Sequence, residues 1–172
     1  MTVSIKVILD AMKEYVRVGI MQVSGCAALS NLALNDDSQR TIVEMGGIKV
    51  ILNAMKESDW IGGVQKYCCK ALCSLALGND VNSKSIAKEG GIKVILNAMK
   101  RHVSIGGVQE YGLMVLLNLA VNDAYHRKRI VKLGGIEVVS DVMKRHQENG
   151  VVQENGCGVL SDVVGVVVFF CL

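Results

Sequence analysis

The chain has 172 residues, of which 51% are hydrophobic, 20% charged and only 4% aromatic. That is one domain's worth of chain with enough apolar residues for a core, which excludes a disordered tail. Its formal charge of +3 is too small to argue for nucleic acid by itself, and the excess of six basic residues over three acids between Asp123 and His146 accounts for all of it.

In chain order, the first predicted element is a helix opening at Ile5, followed by a longer one through QVSGCAALSNLA from Gln22. A short segment, RTIVEMGG, then leads into GGIKVILNAMK at Gly46–Lys56. There Ile48, Ile51, Leu52 and Met55 fall at i, i+3, i+4 and i+7, one face of a helix. The next helix carries QKYCCKALCSLA from Gln65, with Val64, Cys68, Ala71, Leu72 and Leu75 at helical spacing. All three segments recur as KSIAKEGG, the same GGIKVILNAMK letter for letter at Gly90–Lys100, and QEYGLMVLLNLA from Gln109. They recur again as KRIVKLGG, a segment opening at Ile136, and QENGCGVLSDVV from Gln153.

Ile5, Ile48, Ile92 and Ile136 are spaced by 43, 44 and 44 residues. Self-similarity at a period of about 40–47 residues is the mark of a helical solenoid, of armadillo or HEAT type. There is no proline, so glycine does the punctuating: Gly46–Gly47, Gly90–Gly91 and Gly134–Gly135 each end one helix and turn the chain into the next. The expected organisation is one partial unit at 4–34, three full three-helix units at 35–77, 78–121 and 122–165, and a hydrophobic tail at 166–172. The whole is a single domain.

EMGGIKVILNAM followed by CAALSNLALND resembles the armadillo repeat in the order of its short helix, glycine turn, middle helix and A-L-x-N-L-A third helix. The resemblance covers nearly the whole chain and implies an all-α, right-handed solenoid. Armadillo middle helices often carry a proline where this chain has Lys49, Lys93 and Glu137, residues acceptable near a helix start. HEAT repeats fit less well, because each period holds three segments and an Asn-bearing third helix.

The six cysteines do not form a disulfide framework. Cys26, Cys69 and Cys157 share one repeat position with Leu113, so the slot reads as apolar and all three are expected to be buried and unreactive. Reduced thiols and no signal peptide point to the cytoplasm or the nucleus. No stretch reaches the roughly 18 apolar residues of a membrane span. Both ends lack a polar cap, so the faces around Ile5–Met12 and Val159–Leu172 are expected to expose apolar surface. Self-association through an end, or folding back of Val166–Leu172, would cover it, and the chain reads as a piece of a longer solenoid.

No phosphate loop, dinucleotide fingerprint, HExxH or GxSxG occurs, so an enzyme is not expected. No cofactor is implied. Cys68, Cys69 and Cys73 are read as core residues in place of a metal site. His102 and His146 are read as solvated loop residues. Trp60, the single tryptophan, sits in a loop and is expected to lie over its neighbour or to anchor a partner.

Function is expected on the concave face, where the armadillo resemblance implies that third-helix asparagines hold the backbone of an extended peptide. Those positions are Asn31, Ser74, Asn118 and Asp162. Four residues earlier stand Ala27, Lys70, Met114 and Gly158, and one turn before come Ser24, Tyr67, Tyr111 and Asn155. The expected activity is a non-enzymatic protein-protein interaction scaffold whose partner is a protein or extended peptide. The alternative is a nucleic-acid or acidic-partner module acting through His126–Lys132, with Arg127, Lys128, Arg129 and Lys132 as its cations. Nucleic acid is the less favoured partner. A nuclear-import adaptor is a minor alternative, because Lys70 and Met114 stand where such proteins carry tryptophan.

Overall fold

The computed structural model describes residues 2–121 and 123–168, with side chains to residue 165. Among the described residues there are eleven helices and no strand. α1 (Thr2–Glu14) and α2 (Gly19–Leu32) make the first unit; α3 (Asp36–Glu44), α4 (Gly47–Glu57) and α5 (Gly62–Ala76) the second. α6 (Asp80–Lys88), α7 (Gly91–Arg101) and α8 (Gly106–Ala120) follow, then α9 (Ala124–Lys132), α10 (Gly135–Arg145) and α11 (Gly150–Val168).

Each unit is built by the same local devices. The short helices start at Asn35, Asn79 and Asp123, whose side chains accept the backbone N–H of Ser38, Asn82 and His126 three residues on. Each short helix ends at a glycine pair, and the two glycines have different tasks. Gly46, Gly90 and Gly134 adopt φ of 79°, 84° and 77°, where a side chain is strained. Gly47, Gly91 and Gly135 press on the preceding helix: a Cβ there would stand 2.7, 2.7 or 2.8 Å from the carbonyl oxygen of Ile42, Ile86 or Ile130.

The end of each middle helix is sealed by a glutamine from the third helix. Gln22 donates to the carbonyls of Met12 and Tyr15, and Gln65 to those of Met55 and Ser58. Gln109 serves Met99 and His102, and Gln153 serves Met143 and His146. One amide thus serves a last-turn carbonyl of the middle helix and adds a second donor to the carbonyl three residues on, which already accepts from the turn's own backbone.

Packing joins each unit to the next. The third helices α2, α5, α8 and α11 lie against one another in an unbroken row with the most extensive contacts of the fold. The middle helices α1, α4, α7 and α10 form a second, looser row. Ile51, Met55, Leu72, Leu75, Ile92, Leu113 and Leu116 are among the buried residues of one continuous core.

Four expectations need correction or restriction. Cys26 and Cys69 are fully buried, but Cys157 is exposed, because among the described residues no helix covers its side of α11 as α8 covers α5. At the N-terminal end Ile5, Leu9 and Met12 are buried against the neighbouring helices; the apolar exposure there falls on Val3, Val7 and Ile20. His102 and His146 are not solvated loop residues. His102 Nε2 lies 2.7 Å from the carbonyl of Asp59 and His146 Nε2 lies 2.6 Å from that of Val103, so each ring grips the turn of the preceding unit. The side chains of Val166–Leu172 lie outside the described residues.

Candidate functional site

The third-helix row presents one polar ladder. Asn31 is exposed, whereas Tyr67, Lys70, Ser74, Tyr111, Met114, Asn118 and Asp162 are half-buried at the margin of the core. Tyr67, Tyr111 and Met114 rest on apolar neighbours there, which fixes their stems and leaves part of each side chain open. Lys66 lies over the Tyr67 ring, its Nζ 5.5 Å from the centroid, and its stem runs beside Gly107 of α8.

The ladder is not uniform along its length. Ser74 Oγ is 3.1 Å from Ser30 Oγ of the preceding unit, so this hydroxyl is engaged between helices. Asn118 lines a small gap with Lys84, Asp123 and His126. Asp162 Oδ2 is buried with no hydrogen-bond partner among the described residues. Glu110 accepts from Asn149 Nδ2 at 2.7 Å, tying α8 to the turn before α11. Ala27 and Gly158 offer no side-chain chemistry at their positions, and Gly158 packs close to Leu117.

The basic segment on α9 divides in two. His126 is buried and its Nδ1 lies 3.1 Å from the Leu119 carbonyl; Arg127 donates to the carbonyls of Ala120 at 2.8 Å and Val121 at 3.2 Å. Both cap the end of α8. Lys128, Arg129 and Lys132 are exposed, with Arg129 reaching the Tyr125 hydroxyl at 3.5 Å. Burial works against the charge on Asp123, yet the amides of His126 and Tyr125 and the nearby His126 and Lys84 outweigh it and hold its carboxyl below the usual value.

Three of the buried thiols are raised above their ordinary value. Burial pushes Cys69 up to about 12 and Cys73 up to about 11, and Cys68, bonded to Cys26 across 3.3 Å, is raised as well. No group of three or more His, Cys, Asp or Glu among the described residues is placed to hold a metal ion. Nor is any described helix long and apolar enough to cross a membrane. Trp60 is 58% exposed on its turn.

Two features escape a reading of sequence alone. The glutamine row is visible as a register mark, but its partners are backbone carbonyls. The lysine row Lys13, Lys56, Lys100 and Lys144 on the middle helices recurs at the same spacing and is exposed throughout.

Solved structures of like shape include engineered proteins. One engineered protein is 22% identical with a TM-score of 0.80, over 93% of this chain and 62% of that one. A second is 25% identical with a TM-score of 0.78, over 92% of this chain and 37% of that one. A designed armadillo repeat protein in complex with the peptide (KR)4 is 15% identical with a TM-score of 0.76, over 91% of this chain and 62% of that one. The chain therefore spans less than two thirds of the length of each, and the likeness establishes an armadillo-type solenoid. No curated protein matches the chain. Residues 9–155 match the family described as Protein zer-1 homolog-like, C-terminal domain. With that match over most of its length and the armadillo fold beneath it, the chain belongs to this family.

Proposed function

We infer that the chain is a non-enzymatic scaffold that binds an extended stretch of a partner protein along its third-helix row. The observation that carries this reading is the unbroken packing of α2, α5, α8 and α11, and it supports a groove with Asn31 and Asn118 at one repeat position and Tyr67 and Tyr111 at another two turns earlier. The designed armadillo protein solved with (KR)4 supports an extended peptide as the class of ligand.

The charges along this face differ from one end to the other. Lys66 and Lys70 stand on α5, and Glu154 and Asp162 on α11. A segment with acidic side chains over α5 and basic ones over α11 suits that arrangement. The buried, free thiols suit a reducing compartment, the cytoplasm or nucleus. The competing reading through α9 is weakened because His126 and Arg127 are occupied within the fold.

The test is a titration of a partner captured by the wild-type chain. Asn118→Ala leaves a bound backbone group unpaired and is expected to cost about 1–3 kcal/mol of binding. Tyr111→Ala removes contact area and weakens binding further, with melting unchanged in the first variant. If both bind as wild type while Arg129→Glu with Lys132→Glu abolishes binding, α9 is the site.

A further inference from the structure

The two identical stretches Gly46–Lys56 and Gly90–Lys100 form adjacent helices, α4 and α7, in the row of middle helices. Each carries lysines seven residues apart, Lys49 with Lys56 and Lys93 with Lys100, all exposed. Seven residues span about 10.5 Å along one helix face, and packed helices lie about 8–10 Å apart. The four lysines therefore stem from the corners of a cell about 10 Å on a side.

The first unit shows how such lysines are neutralised. On α1, Asp10 accepts from Lys6 at 2.7 Å and from Lys13 at 3.2 Å. Its counterparts on α4 and α7 are the amides Asn53 and Asn97, while α10 has Asp141 and replaces the leading lysine by Glu137. On the middle helices, the pattern of two lysines with no acid between them is thus confined to the two central units. Lys49 reaches Glu89 at 3.6 Å, but Lys56, Lys93 and Lys100 enter no ion pair among the described residues.

An open cleft of about 510 Å³ runs between these helices. Met55, Val94 and Ala98 line its floor, with Asn97 beside them and Lys56 and Lys100 at the rim. Arg101 lines it too and pairs at 3.4 Å with Asp59, the one acid there.

We propose that this cleft docks an acidic segment of a partner protein, as a second site distinct from the third-helix row. Carboxylates three residues apart on an extended chain stand about 10 Å apart, which matches the lysine cell. An apolar side chain between them enters the cleft over Val94. The Asn97 amide supplies both a donor and an acceptor to the main chain. A nucleic-acid strand would satisfy the lysines but carries no apolar side chain for the cleft.

The experiment is fluorescence anisotropy on the full chain with a labelled peptide, Glu-Leu-Gly-Glu-Leu-Gly-Glu. Binding is expected, weakening steeply with salt. It should fall by about tenfold or more, 1.4 kcal/mol per decade, in Lys56→Gln with Lys100→Gln. Asn53→Asp with Asn97→Asp, which rebuilds the α1 arrangement, should lower it too. Asn118→Ala on the other row should bind as wild type. Failure of the peptide to bind, or wild-type binding by both double variants, overturns the proposal. So does equal binding of a peptide with serine in place of leucine, or binding of single-stranded oligothymidylate in preference to the peptide. Because the third-helix variants are scored separately, loss of this site leaves the reading of that row standing.

Discussion

Gln109 and His102 are joined by a 2.8 Å bond from the glutamine amide to the histidine carbonyl, while the His102 ring reaches 2.7 Å to the carbonyl of Asp59 in the unit before. A single connection thus seals a helix end and couples two units. Gln109 is fully buried, and its replacement by leucine removes the side-chain donor to the Met99 carbonyl and leaves the His102 carbonyl only the backbone N–H of Ile105. The expected cost is about 1–3 kcal/mol. Urea denaturation reads it as a lower midpoint at unchanged slope; a midpoint equal to wild type would show that water replaces the amide freely.

The glycine pairs lead to an ordered pair of effects. Gly90→Ala puts a side chain on a left-handed backbone and should cost about 1 kcal/mol. Gly91→Ala should cost more, because its Cβ meets the Ile86 carbonyl at 2.7 Å and backbone cannot step aside as a side chain can. Thermal melts of the two variants decide the order, and a milder Gly91→Ala would refute the account of the second glycine.

Thiol reactivity separates the cysteines by position in the row. In a Cys171→Ser background, Cys157 is expected to label at once in native protein. Cys26, Cys68 and Cys69 should label only on unfolding, being fully buried, with Cys69 raised to about 12. Rapid native labelling of Cys69 would contradict the packing of α5 on α8.

Asp123 ties stability to pH. Its carboxyl is held below 3.8 in the folded chain, so its contribution is complete above that value and is lost as pH falls through the folded value. Near neutrality, Asp123→Ala should cost about 0.5–2 kcal/mol through loss of the α9 cap. Asp123→Asn keeps a capping oxygen without titrating. The difference between wild type and Asp123→Asn should therefore change in acid below the usual carboxylate range and stay constant above it; a constant difference throughout would separate the cap from the charge.

The repeat register was legible because its markers are side chains: the isoleucines that open each middle helix, the leucines of the third helices and the paired glycines. What stayed hidden depends on backbone atoms. His102 and His146 looked solvated because nothing in a string of residues shows a carbonyl of the preceding turn within reach. Cys157 was misjudged for another reason. Equivalence with Leu113 carries burial only if another helix lies beyond it, and that depends on place in the row rather than on residue type. For the third-helix ladder, side-chain identities could be read directly. The engagement of Ser74 with Ser30 could not, since it joins residues 44 apart. The lysine cell was overlooked because net charge drew attention to Asp123–His146, whereas its signal is the exchange of Asp10 for Asn53 and Asn97.

Every extensive helix contact lies within one unit or between adjacent units. Among the described residues no such contact joins α1 or α2 to α9, α10 or α11, so a force applied across them meets the links between units in series. Under tension the molecule should behave as a spring that gives at the looser row of middle helices before any single unit ruptures. A partner laid along several third helices would stiffen that spring, and its grip would in turn depend on how far the spring is stretched.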